Sequence, residues 1–330
     1  MSETMTPPRP ATADEVPVID MSPALVPGAD LTAIAQTVRK ACQGMAFFYV
    51  KNHGIDQAVI DGTFQQMQRF FSLPLEERMK IVKDRFHRGY LPIGTTRYPG
   101  KLPDLKDSFD LGLDLSLDDE EVIAGTPLHG PNQWPDLPGF REAVEAYFDA
   151  VRELGMRVLR VLAVSLGVEE DYFVRFYSKP TILTRLIHYP APEAVADPEF
   201  GIGALDHTDY GLITLLYQDP AGGLELKKPD GEWVAAPFIP GTFVVNLGDL
   251  MARWTNDVYR SNPHRVVNRL GRDRFSIPTF FNPNHRAPVE AIPTCVTPDN
   301  PAKYEPVLAG EYVTGRIRAN QGYKPPQATA

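Results

Sequence analysis

The stretch ALDHTDYGLITLLYQDPAGGLEL, residues 204–226, sets an imidazole and a carboxylate two positions apart in a run of apolar and β-forming residues. Side chains alternate along a strand, so His207 and Asp209 are expected on one face and Asp206 and Thr208 on the other. Two such polar groups are costly on a half-buried sheet unless something satisfies them. One imidazole nitrogen and one carboxylate oxygen on the same side are two ligands of a metal site, and the pair calls for a third.

His264, in SNPHRVVN at the start of another predicted strand, supplies it. Two neutral imidazoles and a carboxylate form the facial triad that holds non-haem Fe(II) in oxygenases and leaves positions open for cosubstrate and dioxygen. A lone His-x-Asp also arises by chance and is more often a plain hydrogen-bonded pair, so the reading leans on a second constellation. In RFSIPTFF, Arg274 and Ser276 again stand two apart on a strand. The rigid guanidinium fork and the hydroxyl on one face make an anion clamp. A metal triad beside such a clamp suits a keto acid that chelates the metal at one end and docks its far carboxylate on Arg274.

The surrounding chain gives this site a frame. From about residue 180 the pattern is strand-like: ILTRLIHYP, GLELKKPDGEWVAA, GTFVVNLGD and HRVVN are separated by Pro, Gly and Asp-Gly turn signals, with a hairpin at Asp230-Gly231. Many short strands at that spacing predict a sandwich or jelly roll. Upstream, DLTAIAQTVRKACQG reads as a helix from Asp30 to Gly44, MAFFYV as a buried strand, QAVIDGTFQQMQRFFSL as a second helix, and residues 140–167 as the longest helix. Residues 87–138 are rich in Pro and Gly and read as ordered loops; residues 1–14 read as a loose, flexible tail.

Composition narrows the partners. With 33 basic and 42 acidic residues among 330, the net charge is −9 and the basic residues form no stripe, which argues against nucleic acid or an anionic membrane. No apolar stretch is long enough for a membrane span, and the first residues do not resemble a secretion signal. Two isolated cysteines, Cys42 and Cys295, fit a reducing compartment, so a cytoplasmic protein is expected, as a monomer or weak homo-oligomer acting on a small molecule.

GALDHTDYGLITLLYQD, GGLEL, GTFVVNLGDLMARWTND, SNPHRVVN and RDRFSIPTFFNP together resemble the isopenicillin N synthase-like branch of the Fe(II)- and 2-oxoglutarate-dependent dioxygenases. VPVIDMS, GMAFFYVKNHGI and LPDLKDSFDLG extend the resemblance to about residues 15–285. It implies a mainly β fold with flanking helices: a double-stranded β-helix (jelly-roll, cupin-like) core over 178–285, an N-terminal mixed helical module over 15–177, and a C-terminal segment, 286–330, covering the site. It further implies iron on His207, Asp209 and His264, with Arg274 and Ser276 holding the 2-oxoglutarate C5 carboxylate. Family members commonly place Asn-x-Tyr on the strand before the first ligand; Ile187-His188-Tyr189 stands there, so Tyr189 keeps its part while the Asn is missing. The implied reaction consumes O2 and 2-oxoglutarate, releases succinate and CO2, and hydroxylates or desaturates a small organic molecule.

Three other readings share these residues. A synthase-type oxidase would use the Arg-Ser pair for the substrate's own carboxylate and no 2-oxoglutarate. GYLPIGTTRYPGKLPD and HGPNQWP are similar to the ethylene-forming branch, in which 2-oxoglutarate is itself fragmented. A cupin-like binding module would have no use for an open metal site. Arg185 shares its strand face with Tyr189 and is a candidate for a substrate anion, and Phe281 follows the Arg274 strand toward the cavity mouth. His53 and His188 are expected to be structural, His129 to be solvated, and Asn246 and Asp249 to satisfy turn backbone.

Overall fold

The computed structural model describes residues 8–95, 102–191, 203–269 and 271–321. The chain runs through β1 (Val18–Asp20), α1 (Thr32–Gln43), β2 (Phe47–Lys51), α2 (Gln57–Phe71), α3 (Leu75–Met79), β3 (Gly89–Leu91), β4 (Asp107–Gly112), α4 (Glu120–Ile123) and the long α5 (Phe140–Ser165). Strands then dominate: β5 (Pro180–Tyr189), β6 (Ala204–His207), β7 (Ile213–Gln218), β8 (Leu224–Lys227), β9 (Trp233–Ala236) and β10 (Phe243–Leu247). After α6 (Asp249–Trp254) come β11 (His264–Val266), β12 (Arg274–Asn284), β13 (Pro288–Val289), β14 (Val307–Leu308) and α7 (Ala309–Gln321).

Strands β5 to β12 divide between two sheets. One sheet has the order β1-β2-β10-β7-β12-β5-β4-β3 and the other β6-β11-β8-β9. The distribution of β5, β7, β10 and β12 on one side and β6, β8, β9 and β11 on the other is the jelly-roll arrangement that the strand spacing predicts. The hairpin β8–β9 turns at Asp230-Gly231 as expected, and Gly231 there has φ 91°, the left-handed region such turns require.

Alternation along the long strands decides what faces where. On β5, Ile182 and Leu186 point outward to the helices while Thr181, Leu183, Arg185, Ile187 and Tyr189 point between the sheets. On β12, Phe275, Ile277 and Phe281 join the outer core, and Arg274, Ser276, Pro278, Phe280 and Asn282 face inward. The outer core is built mainly by α5, whose Val144, Val151, Leu154, Val158 and Leu162 are buried along one stripe. Gly155 of that helix lets the sheet approach: a Cβ there would lie 2.6 Å from the Phe281 ring. At the start of α1, Asp30 Oδ1 accepts the Thr32 amide at 2.8 Å, satisfying one of the free N–H groups of the first turn.

Two sequence expectations change. Residues 8–14 of the expected flexible tail are tied down, since Ala11 N donates to Ala235 O and Ala235 N to Arg9 O, both at 2.8 Å, and Arg9 pairs with Glu15 and Glu232. Residues 1–7 lie outside the described residues. The segment 87–138, expected as loops, contains β3, β4 and α4; its residues 96–101 are outside the described set. The DSFDLG strand hides because all six residues are buried, including two aspartates. Asp107 is satisfied by Arg78 and His188, and Asp110 by Lys83 and Arg185, so a core strand reads as polar.

Candidate active site

A cavity of about 160 Å³ opens between the two sheets and is lined by the inward-facing groups of β5 and β12 named above. His207 ends β6 and His264 begins β11, and the two residues are register partners, so sheet pairing alone sets the imidazoles side by side with ring centroids 4.4 Å apart. Asp209 lies beyond the end of β6, in the segment leading to β7, not on the strand where simple alternation puts it. Backbone hydrogen bonds fold that segment back: Asp249 N donates to Asp209 O at 2.7 Å and Leu250 N to Gly211 O at 3.1 Å. Gly248 permits the approach, because a Cβ there would lie 2.3 Å from Gly211 O.

The ligand atoms converge. Asp209 Oδ1 lies 3.9 Å from His207 Nε2 and 4.0 Å from His264 Nε2, and one donor atom from each of the three residues falls within 4.8 Å of the others. The remaining polar atoms are already committed, which aims the free ones. His207 Nδ1 bonds Leu205 O at 2.6 Å and His264 Nδ1 bonds Asn262 O at 3.3 Å, leaving each Nε2 with its lone pair toward the cavity. Asp209 Oδ2 accepts from Thr214 Oγ1 at 2.6 Å and Asn246 Nδ2 at 2.7 Å, leaving Oδ1 for the cavity. Burial, reinforced by neighbouring His264, pushes the His207 imidazole down to about 4, so it is neutral at pH 7. Burial works to raise the Asp209 carboxyl, yet His264, His207 and the two hydrogen bonds hold it below the ordinary range. The donor set of two imidazole nitrogens and one carboxylate oxygen fits Fe(II).

Arg274 and Ser276 stand on the facing sheet. Arg274 is fully buried, its Nε donating to Gly222 O, Nη1 to Ser276 Oγ at 3.0 Å and Nη2 to Gln218 Oε1 at 3.4 Å. The Tyr189 ring lies under it, 4.6 Å from the guanidinium carbon, and Tyr189 and Arg274 are register partners. Among the described residues no carboxylate pairs with Arg274, and the buried Gln218 Nε2 beside it has no hydrogen-bond partner. A buried guanidinium without an anion is costly, so an anion entering this end of the cavity would be stabilised there.

The opposite end differs. Arg185 lines the cavity, but its Nε and Nη2 are held by Asp110 at 2.7 and 2.8 Å, so its charge is already compensated. Burial opposes ionisation of Asp110, and Arg185 with Lys83 overcomes it, holding that carboxyl well below the usual range. Phe281 does not line the cavity: it is wholly buried on the outer face, stacked on Tyr177 at 4.9 Å, and Phe280 takes the place expected for it. The alternation of β12 is the reason. Thr181, whose buried hydroxyl has no partner among the described residues, Leu128, and Val313 and Ile317 of α7 complete this end.

The support around the three donor residues has little signature in the sequence. Asn246, expected to serve a turn, instead bonds Asp209; Asp249 accepts from Thr208 and Arg316. Position 246 shares its face of β10 with Val244, and that parity is the available signal. His53 is structural, its Nδ1 accepting from Ile55 N and its ring edge-on to Phe243 at 4.9 Å. His188 bonds Asp107 on the face opposite Tyr189. His129 is buried, not solvated, bridging Pro127 O and Lys179 O.

Residues 180–283 match the family described as the 2OG-Fe(II) oxygenase superfamily, and residues 16–137 match the non-haem dioxygenase in morphine synthesis N-terminal family. The 2-oxoglutarate-Fe(II) type oxidoreductase hxnY of Emericella nidulans is 38% identical over 315 residues, covering 93% of this chain and 90% of the relative. Homoarginine-6-hydroxylase 2-ODD-233 of Oryza sativa is 35% identical, covering 92% and 97%. Among solved structures, a full-length Neurospora crassa protein in complex with alpha-KG superposes with a TM-score of 0.82 at 34% identity, covering 94% of this chain and 98% of that one. The same Neurospora protein with alpha-KG and thymine gives 0.82 at 33%, with the same coverage. Among the described residues no helix is long and apolar enough to cross a membrane.

Proposed function

Because this chain belongs to the isopenicillin N synthase-like 2OG-Fe(II) oxygenase superfamily, with the oxidoreductase chemistry and the double-stranded β-helix fold of that group, we propose which of its residues perform each task. His207, Asp209 and His264 hold Fe(II); Arg274 and Ser276, over the Tyr189 ring, hold the C5 carboxylate of 2-oxoglutarate. The observation that carries this assignment is a fully buried arginine with no acidic partner among the described residues, across the cavity from three converging metal-ligand atoms.

When bound, the iron supplies the oxidising power, drawn from O2 and the decarboxylation of 2-oxoglutarate to succinate. The protein's share is geometry and charge. The Leu205 and Asn262 carbonyls fix the two imidazole tautomers, and Thr214 and Asn246 fix which carboxylate oxygen of Asp209 faces the metal. Arg274 compensates the cosubstrate's far charge in a site that excludes water, and the wall of Phe280, Leu128, Val313 and Ile317 keeps the primary substrate's C–H bonds in a dry space.

The primary substrate is a small molecule seated at the Thr181–Phe280 end; the thymine held by a structural neighbour supports that size. In this reading residues 15–177 form the helical module, 178–285 the core and 286–330 the cover, and the two buried free thiols suit the cytoplasm. The test is anaerobic addition of Fe(II) and then 2-oxoglutarate to purified protein. A weak visible charge-transfer band is expected in the wild type and not in His207→Ala. Bound iron with no band on adding 2-oxoglutarate would reassign Arg274 to a carboxylate of the primary substrate.

A further inference from the structure

We propose that Arg316 is a positioning residue that ties the cavity's C-terminal wall to the loop carrying Asp209, so that covering the cavity and seating that ligand are mechanically one event. The inference rests on the reading of Asp209 as an iron ligand.

Asp249, the first residue of α6, is where three segments meet. Its amide donates to Asp209 O at 2.7 Å, and its Oδ2 accepts from Thr208 Oγ1 at 3.2 Å and from Arg316 Nη2 at 2.8 Å. The Arg316 guanidinium also lies over the Tyr210 ring, 5.2 Å from its centroid. Arg316 therefore reaches both sequence neighbours of Asp209, one through a shared carboxylate and the other through a ring face.

The same helix lines the cavity. Val313 and Ile317 of α7, three residues before and one after Arg316, belong to the wall. The start of α7 is fastened by backbone bonds, Ala309 N to Ala287 O and Gly310 N to His285 O, both at 2.9 Å. Beyond that first turn, Arg316–Asp249 is the one ion pair that joins α7 to the rest of the described residues. Its side chains are 40% and 16% exposed, so it adds little to global stability. Its effect is local: it sets the docking of the helix beyond its fastened first turn, and with it the position of residues 208–210.

Hydrogen exchange and iron titration of the full-length protein, with 2-oxoglutarate present, test the link. Arg316→Ala is expected to speed exchange about tenfold in peptides spanning 309–319 and also 205–212, because local opening no longer breaks the clasp. The apparent Fe(II) dissociation constant, read from the charge-transfer band, should rise about threefold to tenfold, less than loss of a group bonded directly to a ligand. Asp249→Asn should reproduce both changes, and the double variant should add nothing further. Arg316→Lys should restore most of the iron affinity, and Arg318→Ala, on the same helix and with no ion pair among the described residues, should alter neither reading. Faster exchange in 309–319 with 205–212 and iron affinity unchanged would overturn the proposal, reducing Arg316 to an anchor of its own helix. A wild type that binds no Fe(II) would instead reject the iron-site assignment beneath it.

Discussion

Replacing Arg274 with alanine isolates the most distinctive electrostatic feature of the cavity. The wild-type fork is rigid: its nitrogens are fixed by Gly222 O, Ser276 Oγ and Gln218 Oε1, and its face by Tyr189. A carboxylate entering here meets a preorganised, water-excluded cation, and little reorganisation is needed to bind it. Removing one partner of such a buried charged pair costs about 2–5 kcal/mol. At about 1.4 kcal/mol per tenfold, the dissociation constant of 2-oxoglutarate should rise about thirtyfold to several thousandfold. The assay is anaerobic titration of the Fe(II)-loaded variant with 2-oxoglutarate, following the charge-transfer band, with iron binding measured separately to establish that the triad is intact. Ser276→Ala, which removes a neutral donor, should cost about tenfold. A change of less than about threefold in the Arg274 variant, with iron still bound, would refute the reasoning and move the carboxylate site elsewhere.

Other perturbations follow from the same geometry. Asn246→Ala removes one of two donors to Asp209 Oδ2 and should weaken Fe(II) binding about tenfold to a hundredfold in a metal competition assay, with little change in melting temperature. Phe281→Ala empties a fully buried outer-core position and should cost about 3–5 kcal/mol of unfolding free energy, whereas Phe280→Ala should alter 2-oxoglutarate turnover at a much smaller cost in stability; denaturant titration of both decides whether the alternation of β12 is as described. His87 is buried, and burial followed by Lys83 pushes its imidazole down to about 3. The unfolded chain therefore takes up this proton first, and stability should fall as pH drops from about 6.5 toward 3. His87→Asn, which tolerates the local φ of 62°, should flatten that part of a pH series of thermal melts; an unchanged slope would exclude His87 as a source of acid sensitivity.

Residues whose burial is apolar were legible in the chain; residues whose burial depends on distant partners were not. The period of α5 and the strands from residue 180 onward were readable because apolar residues recur at helical or alternate spacing. Strand β4 was not, because Asp107 and Asp110 sit in the core through Arg78, Tyr90, Lys83, Arg185 and His188, partners that sequence distance conceals. His207 and His264 were found by type and spacing, and their pairing across β6 and β11 explains why they meet. Asp209 reaches the same side as His207 by a route that alternation does not describe, since the chain has left the strand by then and backbone bonds to α6 return it. Phe281 differs from its expected place by one residue of phase, enough to send a side chain through to the opposite face.

That phase has a practical consequence for redesign. Thr181 and Leu183 of β5 and Phe280 of β12 present side chains to the cavity, while Ile182, Leu186 and Phe281, interleaved with them, anchor the helical layer behind. Selectivity and folding are thus written on alternate letters of the same two strands. A combinatorial library confined to the inward letters can explore new substrates while the outward letters keep the scaffold folded, and randomising contiguous stretches would squander most of its members on broken cores.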